Sequence, residues 1–148
     1  MIFRALISWF FLLFAVAGVS NHSGCSKPST ENTRDTRSFK ALGLIYGKYV
    51  GAHRGRRPPN QAELLQYAES KESSLLTQLG VSDPANMFSS PRDGQPLEVV
   101  YGTNSVTEPN PIAAYESQPT NGKRWMVWTT GASMEVDESE FQTIKPQP

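Results

Sequence analysis

Cysteine is nearly absent: Cys25 is the one thiol in 148 residues. An internal disulfide framework is therefore excluded, and so is a cysteine-built zinc site. Histidine is almost as scarce, with only His22 and His53. No spacing of His, Cys and Asp supplies a metal ligand set. Asp93, Glu98 and Glu108 do not make the dense oxygen-ligand run of a calcium loop. Net charge is lacking too, because 14 Lys+Arg meet 14 Asp+Glu. That removes the bulk electrostatic attraction on which nucleic-acid binding rests. No G-x-S-x-G, H-E-x-x-H or phosphate-loop pattern occurs. Glu116 with Glu135 or Glu138 has no spacing that sets two carboxylates at acid–base separation. We expect no enzyme activity, no cofactor and no metal.

Long apolar runs are missing after residue 17, and all 11 prolines lie beyond residue 27. Most of the chain is thus lean in core-forming residues and rich in turns. The apolar residues crowd the start instead. Arg4 gives one positive charge, residues 5–17 form an uncharged apolar run, and small or polar residues follow up to Gly24. The run is shorter than the roughly 20 residues that span a bilayer. This pattern is that of a secretory signal peptide over residues 1–24.

Two cleavage points fit. Ala15-Val16-Ala17 matches an A-x-A site. Ser23-Gly24-Cys25 resembles the end of a bacterial lipobox, although His22 stands where an aliphatic residue is usual. Lipidation would consume the lone thiol of an exported protein and tie Cys25 to a membrane. Residues 26–37, SKPSTENTRDTR, contain no aliphatic or aromatic side chain. They cannot enter a core, so residues 25–37 read as a flexible tether.

The folded part is expected at residues 38–145. Ser38 can cap a helix running to about residue 53, with Phe39, Leu42, Tyr46, Tyr49, Val50 and His53 on one face. Gly43, Gly47 and Gly51 recur every fourth residue along one edge of it. Each costs about 1 kcal/mol relative to Ala in a helix interior. Close approach of another backbone explains such a stripe: the domain's own sheet, or another subunit by analogy with small-residue seams. Arg54, Arg56, Arg57 and two prolines end the helix. Asn60 caps a second helix, with Glu63 three residues on and Ala62, Leu64, Leu65 and Ala68 as its apolar side. A third short helix covers residues 74–79, up to Gly80.

Residues 83–95 are turn-rich. Strands follow at residues 97–101 and 112–116. Asn121-Gly122 leads into residues 124–129 as a hairpin signal. Thr130-Gly131 then turns into residues 133–136. Asp137 can cap a last helix to Ile144, with Phe141 and Ile144 facing inward. Helices first, then an antiparallel meander of about four strands, make an α+β fold: a long helix packed on a small sheet, with short accessory helices.

The stretch Leu42-Gly43-Leu44-Ile45-Tyr46-Gly47-Lys48-Tyr49, then Arg57-Pro58-Pro59, resembles bacterial pseudopilin-like exported proteins. Ser90-Pro91-Arg92-Asp93-Gly94 and Ala114-Tyr115-Glu116 add to the likeness. So do Asn121-Gly122-Lys123-Arg124, Val127, Gly131 and Glu140-Phe141. These proteins are related to type II secretion pseudopilins and to prepilin-type proteins with an H-x9-DG ending. The resemblance implies an α+β head in the cell envelope. The prepilin leader junction is absent here, and Thr120 and Thr130-Gly131 stand where the histidine and Asp-Gly would fall. Assembly into a fibre is not implied.

Function is expected to lie in contact rather than reaction. The candidate interaction residues are Gly43, Gly47 and Gly51, the cations Arg54, Arg56 and Arg57, and Trp125 and Trp128. The two tryptophans fall on opposite faces of a regular strand. One of them can serve a protein partner or stack on a sugar ring. An envelope protein is the expected partner, nucleic acid is not, and the oligomeric state is not legible. The alternative is a small carbohydrate-binding module. The intact mass of the native protein tests the export reading. The chain is expected to start beyond residue 17, either at Cys25 with acyl chains or at Gly18 with its thiol unmodified. A mass that includes Met1 would refute it.

Overall fold

A computed structural model describes residues 33–146. The leader, Cys25, His22 and most of the expected tether lie outside the described residues. Helix α1, Thr33–Ala52, starts five positions before the expected Ser38. Residues 33–37 contain neither Gly nor Pro. Adding ordinary residues to an existing helix is cheap once the nucleus is formed, so the end of the expected tether joins the helix. Phe39, Leu42, Ile45, Tyr46 and Tyr49 form its buried face. His53 was placed on that face but is exposed, because α1 stops one residue earlier. Arg54 and Gly55 both take positive φ, 58° and 85°, and the Gly55 N–H reaches back to the Val50 carbonyl at 2.8 Å. This is the left-handed closure common at helix ends.

Helix α2, Gln61–Lys71, is capped as expected: the Asn60 side chain accepts from the Glu63 N–H at 2.9 Å. Leu64 and Ala68 are its buried residues, while Ala62 is exposed rather than inward. Helix α3, Ser73–Leu79, ends at Gly80 with φ 71°. The turn-rich segment hides a short 3₁₀ turn, Pro84–Phe88, that carries Met87 and Phe88 into the core against α1.

The sheet is an antiparallel meander in the order β1 (Leu97–Val99), β2 (Ile112–Glu116), β3 (Lys123–Trp128), β4 (Ser133–Asp137). The fold is α+β. Strand β1 is shorter than expected because Tyr101 turns away, its N–H bonding the Val99 carbonyl at 3.0 Å. The β3 hairpin loop has Asn121 and Gly122 at φ 53° and 75°, between Thr120 and Lys123. Two positive φ values are what a two-residue type I′ turn needs. A bulge shifts the register between Ile112 and Ala114. It places both Ala113 and Ala114 in the core beneath α1.

Helix α4, Glu138–Ile144, covers the opposite face. Two expectations for it fail. Asp137 sits at the cap position without a side-chain capping bond; its carboxylate lies 3.9 Å from Lys123 Nζ instead, and the Glu138 N–H is taken by the Gly122 carbonyl. Phe141 is buried, but Ile144 is 39% exposed. The sheet is therefore covered twice. Phe39, Leu42, Ile45, Tyr46 and Val127 belong to the larger core on the α1 side. Ile112, Met126, Val136 and Phe141 form the smaller one under α4.

Helix α1 closes on the sheet through two glycines. A Cβ built on Gly43 would lie under 3.0 Å from the Trp128 carbonyl oxygen and 2.6 Å from Val127 Cγ2. One built on Gly47 would meet the Thr129 carbonyl oxygen and lie 3.1 Å from its carbon. Backbone cannot swing aside as a side chain can. Gly51 has nothing within 4 Å. The stripe is thus two contact glycines and one bystander. Gly43→Ala and Gly47→Ala are each expected to destabilise by roughly 2 kcal/mol, the overpacking exceeding the gain in helix propensity. Gly51→Ala is expected to stabilise by up to about 1 kcal/mol. Urea unfolding of the three variants checks the contrast, and equal effects at all three positions would refute it.

Candidate functional site

The expected interaction residues do not share one surface. Gly43 and Gly47 are closed against the turn after β3, so the glycine face of α1 is filled by the domain itself and is not open to another subunit. Arg54 and Arg56 are exposed, Arg54 in the turn after α1 and Arg56 in an isolated bridge to Ser105. Arg57 is half-buried. Its position is fixed by backbone bonds on either side: Val106 N–H to the Gly55 carbonyl at 2.7 Å, Arg57 N–H to Asn104 at 3.4 Å and Gly102 N–H to Pro58 at 3.1 Å. The chain before α2 is thereby strapped to the loop between β1 and β2.

Trp125 and Trp128 do lie on opposite faces, and each is half-buried. Trp125 packs edge-on to Phe39, with ring centroids 6.1 Å apart, and Arg92 lies 5.9 Å from its ring. It belongs to the α1 side and is absorbed by packing. Trp128 belongs to the α4 side, where it walls a groove of about 510 Å³. Arg57 lines the same groove, with Ile112, Ile144, Pro111 and Lys145. Of the expected interaction residues, Arg57 and Trp128 are the two that line this groove.

The groove joins a positive group to an apolar wall. Arg57 Nε is buried and has no hydrogen-bond partner. Tyr101 Oη is in the same condition, and burial pushes its phenol up to about 12. Tyr46 donates to the Val100 carbonyl; burial raises its phenol well above the ordinary value, opposed by the nearby Arg57 charge. Ile144, expected to face inward, lines the groove instead, beside Lys145. No periodicity could show that a seven-residue helix leaves its last apolar residue in a groove. The prolines of residues 109–111 were a visible signal that this loop is stiff.

A larger cleft, about 870 Å³, lies over the 3₁₀ turn and is lined by Arg37, Arg92, Asp83 and several serines. Its polar groups serve the fold. The Asp83 carboxylate accepts from the Ala85 N–H at 3.0 Å. Arg92 Nε is 3.4 Å from Glu116 and Nη2 is 2.6 Å from Glu135, an ion pair off the hydrogen-bond axis. It has no aromatic wall. We therefore place the candidate site at Trp128.

The glutamates once considered as an acid–base pair are tied through arginines. Buried Glu116 accepts from Ser90 Oγ at 2.7 Å and from the Trp125 N–H at 2.8 Å. Arg124 donates to the Glu116 carbonyl and forks onto Glu138, with both contacts at 3.1 Å. The Arg124 guanidinium also lies 4.3 Å from the Phe141 ring. His53 stacks on Tyr49 at 3.8 Å and bonds the Tyr49 carbonyl through Nδ1. Among the described residues, no three His, Cys, Asp or Glu side chains gather as a metal site.

No family model, no curated protein and no solved structure matches the chain.

The Arg124 and Gln142 side chains hold the Glu138 carboxyl below its ordinary value, against a smaller opposing effect of burial. A carboxyl depressed in the fold stabilises above its unfolded value and loses that contribution as pH falls through the folded one. Glu138→Gln is therefore expected to lower Tm at pH 7. The gap from the parent should shrink steadily below the ordinary value of 4.5. Melting curves at pH 7 and under acid conditions check this; a gap independent of pH would refute it.

Proposed function

We propose that the chain is a non-enzymatic interaction domain, exported and held at the cell envelope, which binds a protein partner in the groove walled by Trp128. The single observation that supports this most is the pairing of a half-buried tryptophan with a half-buried arginine on one groove. Aromatic and arginine anchors in partly desolvated pockets carry much of the energy of protein interfaces. Glu116, Arg92 and Arg124, by contrast, are engaged within the fold. The proposed action is passive. The segment before α1 holds the head away from the surface, through an acyl chain on Cys25 in the lipidated form. The pseudopilin likeness enters as part of the same proposal, supported by a long helix laid across an antiparallel meander.

A photo-crosslinking residue placed at Ile144 in cells tests it. Position 144 is expected to give a discrete product in envelope fractions, and the exposed position Gln78 on α3 is not. Trp128→Ala, combined with the label at 144, should reduce the product severalfold. No product above background, or equal products from both positions, would overturn the proposal.

A further inference from the structure

The groove's charges and its shape ask for different things from an occupant. Arg57 and Lys145 line it, and Glu108 opposes them, leaving one net positive charge. An anion is therefore favoured. Trp128, Ile112 and the prolines 109 and 111 make the wall apolar. A small inorganic anion would leave that wall uncovered. Pro111 is buried, and its carbonyl accepts from the Thr129 N–H at 3.1 Å. The wall is accordingly fixed to the sheet before anything binds.

Arg57 sharpens the requirement. Its Nε is closed to solvent, so an incoming group meets the end of the guanidinium. A carboxylate facing the two terminal nitrogens takes one N–H from each, a bidentate geometry that lysine cannot offer. Acidic sugars also carry carboxylates, but their hydroxyls need several neutral polar partners. Among the lining residues only Asn110 and the indole N–H of Trp128 offer such groups. A peptide is the better match, and a volume near 510 Å³ lies within the ordinary range for ligand sites.

We infer that the groove takes a peptide segment in which an acidic side chain stands next to apolar ones, with the carboxylate on Arg57 and an apolar neighbour against Trp128. This rests on the groove being the interaction site proposed above. The test uses the full chain and two amidated, acetylated pentapeptide pools, Z-Z-Glu-Z-Z and Z-Z-Gln-Z-Z, with Z drawn from Leu, Ile, Phe and Pro. Retention on the immobilised protein is measured, with near-UV dichroism as the check that each variant is folded. The Glu pool is expected to bind at least tenfold more tightly than the Gln pool. Arg57→Gln should reduce that preference below threefold, and Arg57→Lys should restore it only in part. Lys145→Gln, at the rim, should weaken it about threefold and guards against a misfolded Arg57 variant. Equal retention of the two pools, no retention of either, or an undiminished preference in folded Arg57→Gln would each overturn the inference. Binding of oligogalacturonate without binding of the Glu pool would overturn it in favour of a carbohydrate. Crosslinking from position 144 that persists while the two pools bind alike would leave the interaction domain standing and remove only the acidic peptide.

Discussion

Everything in this domain depends on how closely α1 can lie on the sheet. Gly43 and Gly47 let the helix backbone reach the carbonyls of Trp128 and Thr129 without an intervening side chain. The approach is matched from the other side by Ala113 and Ala114, which the β2 bulge turns toward the helix. Small residues on both surfaces set the separation, and the large ones fill the space around it: Phe39, Leu42, Ile45 and Tyr46 above, Met87 and Phe88 at one margin. The same contact fixes the end of β3, because the carbonyl that faces Gly43 belongs to Trp128. A helix held further off would leave that end, and with it one wall of the groove, less well positioned.

A second constraint joins the loops to the sheet. Glu116 closes β2 by accepting from the Trp125 backbone and from Ser90, two groups that would otherwise be buried without partners. Arg92 and Arg124 compensate its charge and its carbonyl, and each extends to a further glutamate, Glu135 on β4 and Glu138 on α4. Buried ionic groups are costly unless satisfied in full, and here one carboxylate gathers three contacts. The network ties the segment at residue 90, three strands and the last helix into one unit. Chemistry at these carboxylates would have to break it.

Much of the architecture was legible because strong local signals agreed with the final packing. The 3.6-residue spacing of Phe39, Leu42, Tyr46 and Tyr49 gave the helix face, Asn60 with Glu63 gave the start of α2, and Asn121-Gly122 gave the hairpin. The failures have physical causes. Nothing in residues 33–37 favours a helix strongly, but nothing stops one either, so the boundary moved. Met87 and Phe88 occupy too short a turn for any periodicity to appear. Asp137 had the right identity for a cap, but Lys123 stands beside it across the strand pair. The candidate site was legible only as scattered residues. Arg57 and Trp128 are far apart in sequence, and their meeting depends on straps between residues 55–58 and 102–106 that backbone hydrogen bonds make.

The position of the contact glycines along the chain also bears on the order of events during synthesis. Helix α1 is made near the start, whereas the carbonyls it rests on come from residues 128 and 129, close to the end. Until β3 and its turn exist, the helix has its greasy side and its bare backbone face without a partner, and three glycines weaken a lone helix in water. Contacts between distant parts of a chain also close slowly, since loop entropy must be overcome first. The polypeptide consequently cannot lock into shape while it is still being made. It stays threadable until β3 and the turn behind it have emerged.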